Sequence, residues 1–408
     1  MKKSTLLILL LTTITISKAD SWTRKADFPG GQKQGIGGFS IGSKGYIGTG
    51  SGGVNSDNQD FWEWDQNSNT WTQKANFPGH GRNYEVGFSI GNKGYIGTGV
   101  YYDIIIHNIF LNDFWEWDQT LNIWAQKNNI PTTGRCFAIG FSIGTKGYVG
   151  TGSSNTEIFK DLWEWDQSSD SWTQKADFLG GFRSDAVGFS IGTKGYIGTG
   201  LKTDTTVTIL LKDFWEYDPL INNWVQKADI PINNRGNAVG FSIYNKGYIG
   251  EGSGTGNLLF NDFWEWDQTN NIWTQKADFG GGQRYASNCF SIGNKGYVCY
   301  GSNDTTTLND LWEYFPDTTN GIPELTQEIK TSLYPNPMQD KTILTIQGSK
   351  KNALLTIYDI NGQKVRSIST DNRQEIIIFR ENLASGIYFY KLTDDDKKVV
   401  GTGKMLME

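Results

Sequence analysis

The feature that most constrains this chain is an internal repeat. Lys-Gly-Tyr occurs six times, with its tyrosine at Tyr46, Tyr95, Tyr148, Tyr196, Tyr248 and Tyr297. Asp-(Phe/Leu)-Trp-Glu-(Trp/Tyr) also occurs six times, beginning at Asp60, Asp113, Asp161, Asp213, Asp262 and Asp310. A further tryptophan recurs at 22, 71, 124, 172, 224 and 273; with the six at the third position of the preceding motif and with Trp64, Trp117, Trp165 and Trp266 these account for all 16 tryptophans. Self-similarity at this period demands a stack of supersecondary units, because no single unit can bury its own apolar surface.

Each repeat holds four short β-type runs separated by turn chemistry, as in Phe88-Ser-Ile, Gly94-Tyr-Ile, Asp113-Phe-Trp-Glu-Trp and Trp124-Ala-Gln-Lys. That content is one four-stranded antiparallel sheet. The glycine-rich segment between the first two runs supplies the positive φ that a tight hairpin needs. The 50 glycines and many aromatics of the chain fit short strands and tight turns rather than long helices. Six such sheets arranged radially crowd near an axis, where Gly-x-Gly permits close approach, and diverge outward, where paired tryptophans fill the gap.

The repeats are out of phase with the sheets. Trp22 opens a fourth strand with no sheet before it, whereas the sixth repeat ends at Trp312-Glu-Tyr-Phe315 with no fourth-strand tryptophan after it. The N-terminal run is therefore expected to complete the sixth sheet and remove an open edge. The order basic residue, hairpin ending Tyr-Ile-Gly-x-Gly, Asp-x-Trp-x-Trp/Tyr-Asp and a later tryptophan resembles the kelch repeat over residues 20–315. The resemblance implies an all-β six-bladed kelch β-propeller closed by the N-terminal strand. The Gly-Gly pair usual in that family is Gly-Thr-Gly here, for example at 48–50.

Spacing separates what is held from what is free. From the repeated tryptophan to the basic residue of the next sheet is always 11 residues, and from that residue to the repeated tyrosine always 13. Only the loop between second and third strands varies, separating glycine and aspartate by 10, 14, 9, 13, 10 and 9 residues. That loop shares a face with the connection entering the first strand, so this face is the candidate binding surface. The two longest loops carry apolar runs, Tyr101-Tyr-Asp-Ile-Ile-Ile-His-Asn-Ile-Phe-Leu111 and Val207-Thr-Ile-Leu-Leu211, which are expected either to fold down as hairpins onto this face or to form a contact patch for a partner.

Six basic residues open the innermost strands: Lys33, Arg82, Arg135, Arg183, Arg235 and Arg284. They are the candidate ligand-binding residues, ringing the channel mouth and pairing with an anionic glycan or an acidic protein segment. The alternative is that each one satisfies backbone carbonyls near the axis. Kelch resemblance supports a ligand role, since some propellers of that family bind acidic ligands through arginines.

No catalytic residue and no cofactor or metal is assigned. His80 and His107 are the only histidines, and with no third ligand in view they make an incomplete set. The glutamates at 63, 116, 164, 216, 265 and 313 recur too regularly to be one acid or base, and belong to the framework. Cys289 and Cys299 each replace a glycine of the repeat on adjacent strands, and are expected either to be separate small core thiols or to form a disulfide that staples the closing sheet. The function expected is a non-enzymatic binding protein; the competing class, from the same resemblance, is a sialic acid mutarotase-like enzyme, and the third is a purely structural surface protein.

Residues 1–19 read as a secretory signal peptide, with Lys2 and Lys3 before the apolar run Leu6 to Ile16. No later segment reads as a transmembrane helix. A net charge of −6 gives no general footprint for nucleic acid. After a linker at 316–331, residues 332–408 contain Tyr334-Pro-Asn-Pro337, an alternating run at Leu355–Ile360, an Asn361-Gly362 turn and Gly386-Ile-Tyr-Phe-Tyr390. The pattern is that of a small immunoglobulin-like β-sandwich. These motifs resemble the C-terminal sorting domain of type IX secretion, which implies engagement of that machinery and a destination outside the cell or on its surface.

Overall fold

The structure is a computed structural model that describes residues 20–51, 58–204, 207–316, 330–347, 353–359, 364–371, 373–394 and 399–408. The expected signal peptide, most of the linker and the Asn361-Gly362 turn lie outside these residues. The chain divides into two compact units, one containing residues 19–316 and the other the C-terminal segment from residue 317.

The larger unit holds six four-stranded antiparallel sheets among its described residues, one for each repeat. Sheet one consists of Gly37–Ile41, Lys44–Gly48, Phe61–Asp65 and Thr70–Gln73. Sheets two to five repeat that order, with first strands Val86–Ile90, Ile139–Ile143, Val187–Ile191 and Val239–Ile243. Sheet six takes Asn288–Ile292, Lys295–Cys299 and Leu311–Phe315 from the last repeat, and its fourth strand is Ser21–Arg24 from the first. In that pairing Trp22 lies opposite Tyr314 and Ser21 opposite Phe315. First strands of successive sheets touch, and that of sheet six touches that of sheet one. No sheet among the described residues closes on itself.

Packing between sheets explains the motif residues. The Phe39 ring of sheet one occupies the space where residue 94 of sheet two would carry a Cβ, only 1.9 Å from a ring carbon. That position must therefore be glycine. Further out, Trp64, Trp117, Trp165 and Trp266 are completely buried, and edge-on aromatic pairs such as Phe61–Trp124, with centroids 4.9 Å apart, span the widening gap. The fourth-strand tryptophans donate to the preceding repeat, as Trp172 Nε1 does to Asn128 O at 2.8 Å. Trp22 makes the same bond to Ala277 O at 3.1 Å, so the N-terminal strand is fixed to sheet five by the device used elsewhere.

The framework glutamates behave as expected. Each accepts from the repeated tyrosine, for example Tyr95 Oη to Glu116 Oε2 at 2.8 Å and Tyr297 Oη to Glu313 Oε2 at 2.7 Å. Four of those tyrosines also accept from a glutamine of the next sheet; Gln66 of sheet one reaches Tyr297 of sheet six at 2.7 Å.

The C-terminal unit has a three-stranded sheet of Lys330–Tyr334, Lys341–Gln347 and Glu375–Phe379. Its second sheet is four-stranded, ordered Lys364–Ser369, Ala353–Tyr358, Gly386–Asp394 and Val399–Met407. Leu344, Ile378, Leu355, Ile357, Leu392 and Met405 form one buried cluster drawn from both. Strand alternation places these side chains inward, the arrangement of a β-sandwich.

Candidate functional site: the loop face

The six basic residues lie inside the sheets rather than at an open mouth. Arg82, Arg135, Arg183, Arg235 and Arg284 are 0–1% exposed and Lys33 is 2% exposed. Each is closed by the aspartate that opens the third strand of its own sheet. Arg183 pairs with Asp213 through both Nη atoms, at 2.8 and 2.9 Å; Arg235 pairs with Asp262 at 2.6 and 2.9 Å. Arg284 pairs with Asp310 at 2.7 and 3.0 Å. Arg135 pairs with Asp161 at 2.5 and 2.8 Å, and Arg82 pairs with Asp113 in the same fork. Lys33 meets Asp60.

Each guanidinium also donates to a second-strand carbonyl, that of Thr98, Thr151, Thr199, Glu251 or Tyr300. The second aspartate oxygen accepts from the indole two residues on, as Trp215 Nε1 does from 2.7 Å. Burial works to raise the Asp113 and Asp310 carboxyls, but the paired guanidinium outweighs it and both stay below the usual range. Burial lowers the Lys33 ammonium, against the opposing pull of Asp60. The carbonyl contacts are those of the alternative weighed against a ligand role; the aspartate partners were not foreseen. The available signal was one aspartate per repeat following each basic residue.

Two residues beyond each basic residue the backbone turns left-handed, at Gly35, Tyr84, Phe137, Asp185, Asn237 and Ala286, with φ of 52–62°. Tyr84 N donates to Gly35 O at 2.7 Å, Phe137 N to Tyr84 O at 3.1 Å, and Asp185 N to Phe137 O at 3.2 Å. Asn237 N donates to Asp185 O at 3.0 Å and Ala286 N to Asn237 O at 3.2 Å. The backbone at this position is thus bonded from sheet to sheet while its side chain differs in every repeat. Just below lies a cavity of about 160 Å³ lined by Gly38, Glu85, Gly140, Gly188, Asn288 and Cys289.

The long loops fold as two-stranded hairpins. That of sheet two pairs Val100–Asp103 with His107–Phe110, and that of sheet four pairs Leu201–Asp204 with Val207–Leu210. At the sheet-two tip Ile104, Ile105 and Ile106 are 82, 82 and 68% exposed. Asp103 Oδ1 accepts from Ile105 N at 2.8 Å and Ile106 N at 2.9 Å, which fixes the tip. The histidines serve this hairpin from opposite sides. His80 stacks on Tyr101 at 4.4 Å, and His107 Nδ1 bonds Tyr102 Oη at 3.0 Å; consecutive strand residues face opposite ways.

All three cysteines are free. Asn288 lies opposite Cys299 and Cys289 opposite Val298, so the two thiols point to opposite faces of sheet six. The disulfide raised from sequence is therefore not formed, because the pairing offsets the two cysteines by one residue.

Residues 332–407 match the secretion system C-terminal sorting domain family. No curated protein matches the chain in sequence. Among solved structures the chain is similar to that of YjhT, at a TM-score of 0.58 and 16% identity, covering 70% of this chain and 96% of that one. The likeness is one of fold. Among the described residues, no helix is long and apolar enough to cross a membrane. The chain is thus an all-β protein with a propeller-like fold and a type IX secretion sorting domain, exported to the cell surface or beyond.

Proposed function

We propose that this is a non-enzymatic exported binding protein, built on a six-bladed kelch propeller closed by its N-terminal strand, whose loop face engages a glycan or protein partner. The observation that carries the reading is the contrast between the two ends of the sheets. The repeat is kept through the strands and their seams, while length and composition change on the loop face, where the Ile104–Ile106 tip is held out in a fixed turn. The pairing of Trp22 with sheet six and its bond to Ala277 support closure.

In this reading the five arginines are internal clamps, each joining the entry to its first strand with the end of the second and the start of the third, while Lys33 holds Asp60. An anionic ligand would have to displace an aspartate already held through two hydrogen bonds. The same occupancy argues against a mutarotase-like site, which would need those cations to reach a sugar acid. Binding of the secreted chain to glycan and peptide arrays at moderate salt tests the proposal. Ile105→Asp on the loop face is expected to weaken or abolish hits that Leu121→Asp, in a turn at the opposite end of sheet two, leaves intact. Equal loss in both variants, or accelerated interconversion of sialic acid anomers, would overturn it.

A further inference from the structure

We infer that the groove between sheets four and five is a saccharide-binding site, recognised through hydroxyl groups rather than charge. The inference rests on the loop-face reading and gives that face a ligand class. Two adjoining hollows, of about 450 and 560 Å³, share Ile232, Asn233 and Phe260. One wall is the sheet-four hairpin; the other is the turn of Thr255–Asn257 and Leu258. Residue 254 must be small here, because a Cβ would sit 2.8 Å from the Phe260 ring.

The polar lining of this groove is made of side-chain amides with unspent donors and acceptors, unlike the asparagines of the seams. Asn69, Asn122 and Asn271 each accept from backbone or indole groups in the seams. The side-chain amides of Asn233, Asn234, Asn261 and Gln283 make no hydrogen bond among the described residues. They line the groove beside an apolar floor. The connection carrying Asn233 and Asn234 reads Pro-Ile-Asn-Asn-Arg, whereas the equivalent segment of sheet three reads Pro-Thr-Thr-Gly-Arg. The nearest guanidinium, Arg235, is sealed by Asp262 and by the Phe260 ring, whose centroid is 4.1 Å away. Lys212 is the one ammonium in the lining among the described residues.

An amide offers donor and acceptor together, which is what a hydroxyl needs from a partner, and fixed charge is dispensable. An apolar floor flanked by a few convergent polar groups suits the C–H face of a pyranose and its rim of hydroxyls. An acidic peptide would instead call for free cations, of which the groove has one among the described residues.

The test uses the secreted full chain on an array of neutral and acidic oligosaccharides, followed by titration calorimetry at low and at high salt. The expected result is binding of neutral oligosaccharides that survives high salt and falls about tenfold or more in an Asn233→Ala, Asn234→Ala double variant, as loss of two hydrogen bonds would give. Both positions are exposed, and an unchanged melting temperature checks that the variant folds. Binding abolished by salt would assign recognition to Lys212 and overturn the inference. So would neutral hits that the double variant leaves untouched, or peptide hits alone; in those cases sensitivity to Ile105→Asp would keep the loop-face reading while the groove falls. Silence on every array would sink both.

Discussion

The layer where the first strands begin contains two kinds of buried charge, and they are built differently. The five arginines are matched within their own repeats, each with a carboxylate, a carbonyl and an indole relay supplied by the same sheet. Glu85 and Glu251 break the repeat. Glu85 accepts from Gly37 N and Thr49 Oγ1 of the preceding sheet, and its Oε2 has no partner among the described residues. Glu251 stands where sheets one to four have threonine, and among the described residues neither of its carboxyl oxygens has a hydrogen-bond partner. A self-contained clamp can be copied six times without reference to its neighbours. A residue that leans on a neighbouring sheet needs that sheet to have changed too, as at Gly37, whose Cβ would fall 2.8 Å from Glu85.

The sharpest way to break this comparison is to open one clamp. Asp213→Ala leaves the Arg183 guanidinium buried with only carbonyl partners, and should cost about 3–5 kcal/mol in denaturant unfolding. Replacing both partners, as Arg183→Met with Asp213→Leu, should recover most of that loss, because paired buried charges are costly to desolvate. A loss below about 1 kcal/mol for Asp213→Ala would return Arg183 to the ligand-binding role expected from sequence, since surface pairs are worth no more.

The unmatched glutamates should move stability the other way. Burial pushes the Glu251 carboxyl up from 4.5 to about 8, with the Arg284 charge opposing and that of Asp310 adding to the rise. Burial likewise raises Glu85 to about 7, countered by Thr49, the Gly37 amide and Arg82. A carboxyl whose folded value lies above its unfolded one binds more protons folded than unfolded between the two. Its contribution to stability therefore falls as pH rises through that window, from 4.5 to about 8 for Glu251. Glu251→Thr, which restores the repeat, should stabilise the protein by about 1–3 kcal/mol at pH 8, and the gain should shrink toward pH 4.5. A gain independent of pH would show that Glu251 is already ionised or already paired.

The same contrast explains what the sequence made legible. Strand number, turn positions and the split of sheet six between the two ends of the repeat region all follow from spacing, because each depends on residues within one repeat. Trp22 and Trp172 could be equated by position alone, and the structure gives them the same bond. The candidate site was less legible. Periodicity put six basic residues on the first strands but could not show that Asp213 and its equivalents had taken their charge, since an intervening loop of varying length hides the constant geometry. The side chains after the clamps, Tyr84 through Ala286, vary from repeat to repeat and so gave no periodic signal.

The smallest expected effect concerns the thiols, where the repeat is broken without charge. Cys289 Sγ lies 3.2 Å from Gly240 O on one face of sheet six, and Cys299 Sγ lies 3.6 Å from Asn288 O on the other. Burial pushes the Cys289 thiol up to about 12, and raises that of Cys299 as well. Neither is a ready thiolate, and exchange proceeds through the thiolate. Thiol titration of the unfolded protein should therefore find all three cysteines reduced even after secretion into an oxidising medium. Reductant should leave the melting temperature unchanged. Recovery of a single thiol, with a melting temperature that drops on reduction, would mean that sheet six shifts by a residue to bring Cys289 and Cys299 to one face. That slip would turn every side chain of the affected strand over, and Asn288 would lose its 2.6 Å bond to Ile36 O of sheet one.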